Sequence, residues 1–142
     1  MKKALGQIIV SIALLLSTAT CFAGSGSDFG PAKVYEFQLN PISMMEAETL
    51  VGMEGVYFYD VNTLELWAEG YIPGAIYFNV KDWKKLLPEN KDTVMVFYCA
   101  NRLCNASEIA ARAVMKEGYT GVRHMYDGIY GWRLSNRVTE KP

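Results

Sequence analysis

Ala106, Ile109, Ala110, Ala113 and Val114 are apolar at i, i+3, i+4, i+7 and i+8, with Glu108, Arg112 and Lys116 on the other side. That rhythm predicts an amphipathic helix, started by Asn105 with Glu108 three residues on and stopped by a left-handed Gly118. Just upstream, Val94 to Tyr98 is apolar at consecutive positions. A strand tolerates this only when both faces are covered, so it is expected at the centre of a parallel sheet. Around this pair, short apolar runs alternate with helical patterns: strands at Val56 to Tyr59, Ala75 to Phe78 and Val122 to Tyr126, short helices at Leu64 to Ala68 and Asp82 to Leu87, and a terminal helical turn from Gly128 to Leu134 carrying Trp132. Ser43-Met-Met-Glu46 fits a capping box, in which the serine covers free amides and the glutamate reaches back, and predicts a helix to about Leu50. Val34 to Phe37 reads as a short edge strand. The alternation of strand and helix is that of an α/β fold with a parallel sheet.

The first 42 residues follow another pattern. Lys2 and Lys3, an apolar run from Ile8 to Leu16 and small residues up to Ala23 have the layout of a secretory signal peptide. The run is shorter than the ~20 residues that cross a bilayer, so stable membrane insertion after cleavage is not expected. Cleavage after Ala23 would place Cys21 and Ala23 at the two small-residue positions and leave a mature terminus near Gly24. Thr18-Ala19-Thr20 is a poor approach to a lipid-modified Cys21. Residues 24–42, rich in Gly, Ser and Pro, read as a linker, and residues 43–137 as one domain. An exported protein in the periplasm or extracellular space is the expectation.

With 142 residues, 51% of them hydrophobic, the chain can bury one core. Loss of residues 1–23, whose only charges are Lys2 and Lys3, takes the formal net charge from -1 to -3. Fourteen Lys and Arg are scattered among fifteen acids, which gives no basic stripe and argues against nucleic acid as a partner. Removal of Cys21 leaves two cysteines, Cys99 and Cys104, in a compartment that permits disulfides.

Cys99 follows the buried strand directly and lies about six residues before the helix, so residues 100–104 form a tight loop at the carboxyl edge of the sheet, where open α/β sheets bind ligands. Inward-turned loop amides and the start of the helix favour a thiolate there and depress its pKa. Arg102 adds a full charge. A cysteine at a strand end is also, about as often, a small buried hydrophobe. Cys104 has three readings: it resolves an oxidised or loaded Cys99 by forming a disulfide, relays sulfur, or packs under the helix. Cys-x4-Cys without a second pair offers no zinc site, and no cofactor is expected. His124, flanked by Arg123 and Met125 in mid-strand, and Asp60, closing its strand, are read as structural.

Asp60-Val61, Glu69-Gly70-Tyr71-Ile72-Pro73-Gly74-Ala75, Phe97-Tyr98-Cys99, the Ala110-Ala111 helix, Gly118-Tyr119 and Asp127-Gly128-Ile129 with Trp132 together resemble a single-domain rhodanese over about Ser43 to Trp132. The resemblance implies a three-layer domain with a central parallel sheet flanked by helices. It also implies a sulfurtransferase whose matching cysteine, Cys99, takes sulfane sulfur from a small sulfur-containing donor, holds it as a persulfide and passes it to a thiol or cyanide. The corresponding loop is Cys99, Ala100, Asn101, Arg102, Leu103, Cys104, with residues 100–104 as the substrate-binding positions. The chain departs from the family pattern at Cys104, where many members carry an arginine, at Asn62, where arginine is common, and at Tyr71, where histidine is common. These departures bear on donor specificity, with Arg102 the candidate for holding an anionic donor. A binding or redox-sensing module that cycles Cys99 and Cys104 between dithiol and disulfide is the alternative. A phosphatase is disfavoured, because its cysteine loop needs a closing arginine and Asn105 and Ala106 stand in that region.

Overall fold

The computed structural model describes residues 35–142. The expected signal peptide lies outside the described residues, as does Val34 of the expected edge strand. Four parallel strands, β1 (Val56–Asp60), β2 (Ile76–Tyr77), β3 (Val94–Tyr98) and β4 (Val122–His124), form one sheet in the order β2-β1-β3-β4. The helices are α1 (Met44–Leu50), α2 (Leu64–Glu69), α3 (Ala106–Lys116) and α4 (Gly128–Leu134), and a 3-10 turn spans Trp83–Leu86.

Strand side chains alternate between faces, and the sheet is covered on both. Phe58, Val96 and Tyr98 join Ile42, Ala47, Ile129 and Trp132 in one core. Tyr59, Met95 and Phe97 join Ala111, Val114, Tyr119 and Val122 in the other. The consecutive apolar run of β3 therefore has a physical cause: it feeds both cores. Its register, Val56 opposite Val94 through Asp60 opposite Tyr98, brings the carboxyl ends of β1 and β3 to one edge. Because β4 is also parallel, Val122 opposite Met95 and His124 opposite Phe97, its last residue arrives near the same edge.

Several expected elements are altered. Residues 35–37 form no strand; the contact with β4 comes at Asn40 to Ile42, where the His124 amide donates to Asn40 and the Ile42 amide to the His124 carbonyl. The helix expected over Asp82 to Leu87 is a 3-10 turn, short because Pro88 follows at once. The last strand ends at His124, although Met125 still donates to the Phe97 carbonyl. Ser43 caps α1 as expected, accepting from the Glu46 amide at 3.1 Å, but the Glu46 carboxylate turns to Arg123 at 3.0 Å. Asn105 makes no side-chain cap.

The buried face of α3 is rotated from the expected stripe. Ser107, Ala111 and Val114 are its buried residues, and Ile109 is 62% exposed. Small side chains at 107 and 111 let the helix approach the sheet closely, and the Ser107 hydroxyl finds polar partners there. Burial of Val114 alone is worth about 1.5–3 kcal/mol.

Candidate active site

Cys99 leaves β3 into residues 100–104 and is 1% exposed. The first turn of α4 fixes the start of the loop: Ile129 donates its amide to the Cys99 carbonyl at 2.8 Å and Tyr130 to the Ala100 carbonyl at 3.0 Å. Peptide groups are trans and planar, so a carbonyl tied to α4 turns the N–H of the same peptide the other way. The amides of Ala100 and Asn101 therefore face away from α4. With that of Arg102, they have no hydrogen-bond partner among the described residues.

Asn101 folds the rest of the loop. Its side-chain oxygen accepts from Leu103 at 2.9 Å and its carbonyl from Cys104 at 3.0 Å, the local bonding that asparagine favours in turns. This brings Cys104 back over Cys99, and the two sulfurs are joined in a disulfide across a Cα separation of 6.3 Å. The carbonyl oxygen of Cys104 lies 3.2 Å from Cys99 Sγ. Two loop amides, those of Leu103 and Cys104, are thus bound within the loop and do not face the sulfur.

Arg102 points outward, and its guanidinium pairs with Asp127 at 2.6 Å. Its charge is matched at the mouth of the loop. Leu103 is 95% exposed. Of the loop positions proposed from sequence, Cys99 and Cys104 meet directly, Ala100 and Asn101 offer backbone amides, and the Arg102 and Leu103 side chains lie on the rim.

Two further residues belong to this site: Ser107, which the sequence did not single out, and His124, read from sequence as structural. Ser107, in the first turn of α3, places its hydroxyl oxygen 3.2 Å from Cys99 Sγ and 2.9 Å from His124 Nε2. Burial pushes the His124 imidazole below its ordinary 6.5; Glu108 opposes this and Arg112 adds to it. A polar residue inside an otherwise apolar helix face, eight positions after a candidate nucleophile, was the available signal for Ser107. Nothing local marks His124, because its relation to Ser107 depends on how β4 pairs with β3.

Asp60 is fully buried, and its Oδ1 accepts the Asn62 amide at 2.8 Å, the capping role expected of a strand-end aspartate. Burial raises its pKa, opposed by hydrogen bonding from Asn62 and Tyr98 and by the charge of Arg133. Tyr98 in turn accepts the Ile72 amide at 3.1 Å through its hydroxyl oxygen, tying the Ile-Pro-Gly turn to the strand that carries Cys99. Along α3, an apolar cleft of about 310 Å3 lies among Val61, Phe78, Val80, Trp83, Ala106 and Ile109; none of its lining residues belongs to the cysteine loop. Among the described residues no group of three or more His, Cys, Asp or Glu side chains converges on a metal position, and no helix is long and apolar enough to cross a membrane.

Among solved structures, the chain is 26% identical to the BH2092 protein of Bacillus halodurans, with a TM-score of 0.63 over 72% of this chain and 77% of that one. It is 19% identical to the thiosulfate sulfurtransferase of Pseudomonas aeruginosa, with a TM-score of 0.64 over 75% of this chain and 20% of that much longer one. The rhodanese-related protein of Thermoplasma volcanium is 17% identical, with a TM-score of 0.58 over 71% and 97% of the two chains. At those identities the last two show a common fold. No curated protein matches the chain significantly. The family model described as "Rhodanese-like domain" matches residues 43–135, the span that builds the sheet, the cysteine loop and the α4 clamp behind it, and the chain belongs to that family.

Proposed function

We propose that this protein is a sulfurtransferase that carries sulfane sulfur as a persulfide on Cys99. The observation that carries the reading is the placement of the Cys99 sulfur at the base of a loop whose first two carbonyls are tied back to α4, which turns the amides of Ala100 and Asn101 away from that helix; with the Arg102 amide, they have no partner among the described residues and can meet an anion. Membership of the rhodanese-like family and the fold shared with a thiosulfate sulfurtransferase support it.

A dithiol reductant first opens the Cys99–Cys104 disulfide. The Cys99 thiolate then attacks the outer sulfur of thiosulfate; the S–S bond breaks, sulfite leaves with the electron pair, and Cys99 holds a persulfide. Cyanide attacks the outer sulfur to give thiocyanate and return the thiolate. A thiol acceptor leaves as a persulfide by the same displacement. Export, with residues 1–23 removed as a signal peptide, is part of this proposal; a mature terminus at Gly24 by N-terminal sequencing tests it.

The test is paired. After reduction and donor treatment, the intact mass should rise by one sulfur in wild type and in Cys104→Ser, and thiocyanate formation should vanish in Cys99→Ser. Full turnover in Cys99→Ser overturns the assignment.

The disulfide itself favours a second reading, a dithiol/disulfide module without turnover. Cys104 as a thiolate can attack the inner sulfur of a Cys99 persulfide, expel hydrosulfide and regenerate the bond seen here. A protein purified in air that holds this disulfide and stays inactive toward thiosulfate after reduction would support the module over the transferase.

A further inference from the structure

Ser107 and His124 are buried polar residues, 1% and 2% exposed, that the transfer steps leave without a role. Strand alternation places His124 on the same face as Val122, which packs in the core that includes Ala111 and Val114 of α3. Helical periodicity places Ser107, Ala111 and Val114 on the matching face of α3. The two periods meet with Ser107 Oγ between Cys99 Sγ at 3.2 Å and His124 Nε2 at 2.9 Å.

The direction of the protons follows from what is missing around the ring. His124 Nδ1 is buried and has no partner among the described residues. A proton on Nδ1 would be a buried donor with no acceptor, whereas a proton on Nε2 leaves Nδ1 as an unpaired acceptor, the less costly defect. Nε2–H then donates to Ser107 Oγ. The hydroxyl hydrogen is left for the other neighbour, the Cys99 sulfur. Among the described residues, Ser107 makes no competing side-chain bond to the preceding turn. The charges that act on His124, Glu108 and Arg112 of α3, are paired with each other at 3.0 Å, and the neutral Tyr126 ring stands edge-on to the imidazole with the ring centroids 4.2 Å apart.

We propose that Ser107, oriented by His124, is the side-chain hydrogen-bond donor that stabilises the Cys99 thiolate. Ser107 touches the reacting sulfur; His124 is a positioning residue. Ser107 keeps its proton throughout, and the thiol proton goes to solvent. The proposal rests on Cys99 as the reacting sulfur of the function above, but it concerns thiol acidity, which is measurable with or without sulfur transfer.

The test follows carbamidomethylation of Cys99 against pH by peptide mass spectrometry, in the reduced full chain carrying Cys104→Ser. Ser107→Ala should raise the midpoint by about 1 pH unit, making alkylation about tenfold slower below it. His124→Phe should raise the midpoint as well, and His124→Gln, which keeps a donor near the Nε2 position, should restore it toward the parent. An unchanged midpoint in both Ser107→Ala and His124→Phe overturns the proposal. A reading that needs no variant accompanies these: the chain has one histidine, so its tautomer is directly legible by long-range 1H–15N NMR. Nε2–H is expected, and Nδ1–H overturns the donor chain. Shifted midpoints without thiocyanate formation in the parent would sink the transferase reading and leave this one standing.

Discussion

Gly128 lies so close to Cys99 that a Cβ at position 128 would overlap the Cys99 carbonyl oxygen and stand 2.5 Å from the Ala100 carbonyl carbon. Its φ of +62° also lies in the left-handed region that side chains rarely adopt. Both the space and the backbone conformation call for glycine, because α4 must begin directly against the cysteine loop for Ile129 and Tyr130 to reach its carbonyls. Gly128→Ala should therefore lower stability by more than about 2 kcal/mol. Urea denaturation measures the loss, and the alkylation rate of reduced Cys99 should change with it. A variant as stable as wild type would remove the α4 clamp from the account.

Closing the Cys99–Cys104 loop should stabilise the fold less than a bond across a long loop would. The bond joins residues five apart, and loop-closure entropy for so short a segment is about 2 kcal/mol at most. Reduced wild type and Cys104→Ser should unfold at nearly the same urea concentration, each modestly below the oxidised protein. A collapse of the fold on reduction would identify the bond as a structural staple and count against a thiolate in turnover.

The Arg102–Asp127 pair is exposed on the arginine side, and its removal should change stability by less than about 1 kcal/mol. Its effect should instead appear in selectivity. Asp127→Asn leaves the guanidinium unmatched at the loop mouth, so the rate with anionic iodoacetate should rise relative to neutral iodoacetamide. Arg102→Ala should lower that ratio, and added salt should shrink both differences. Equal ratios in all three proteins would show that Arg102 does not act on incoming anions.

Stability should depend on pH through His124. Its folded pKa is lowered by burial, while the unfolded imidazole titrates near 6.5. Below that value the unfolded chain binds a proton that the folded one does not, so His124 should cost stability as the pH falls from 6.5 toward the folded pKa and have no effect on the slope above it. His124→Gln should lack this component. Urea midpoints across the interval, compared for the two proteins, check the sign; parallel curves would mean that the imidazole is protonated equally in both states.

Much of the domain was legible from the order of residues alone. Consecutive apolar positions from Val94 to Tyr98 require cover on both sides, and both cores are present. Ser43 fixed the start of α1 and Gly118 the end of α3, because caps and left-handed stops act within a few residues. The position of Cys99 at a strand end followed from the same local patterns. What the sequence alone could not settle was everything that depends on two segments meeting. The face that α3 buries depends on the close approach allowed by Ser107 and Ala111. The pairing of Arg102 with Asp127 depends on α4 docking behind the loop. The contact between Ser107 and His124 depends on the register of β4 against β3. Local propensity acts through neighbours along the chain, whereas these contacts arise from packing between segments far apart in it, and only the folded arrangement of sheet and helices brings them within hydrogen-bonding reach.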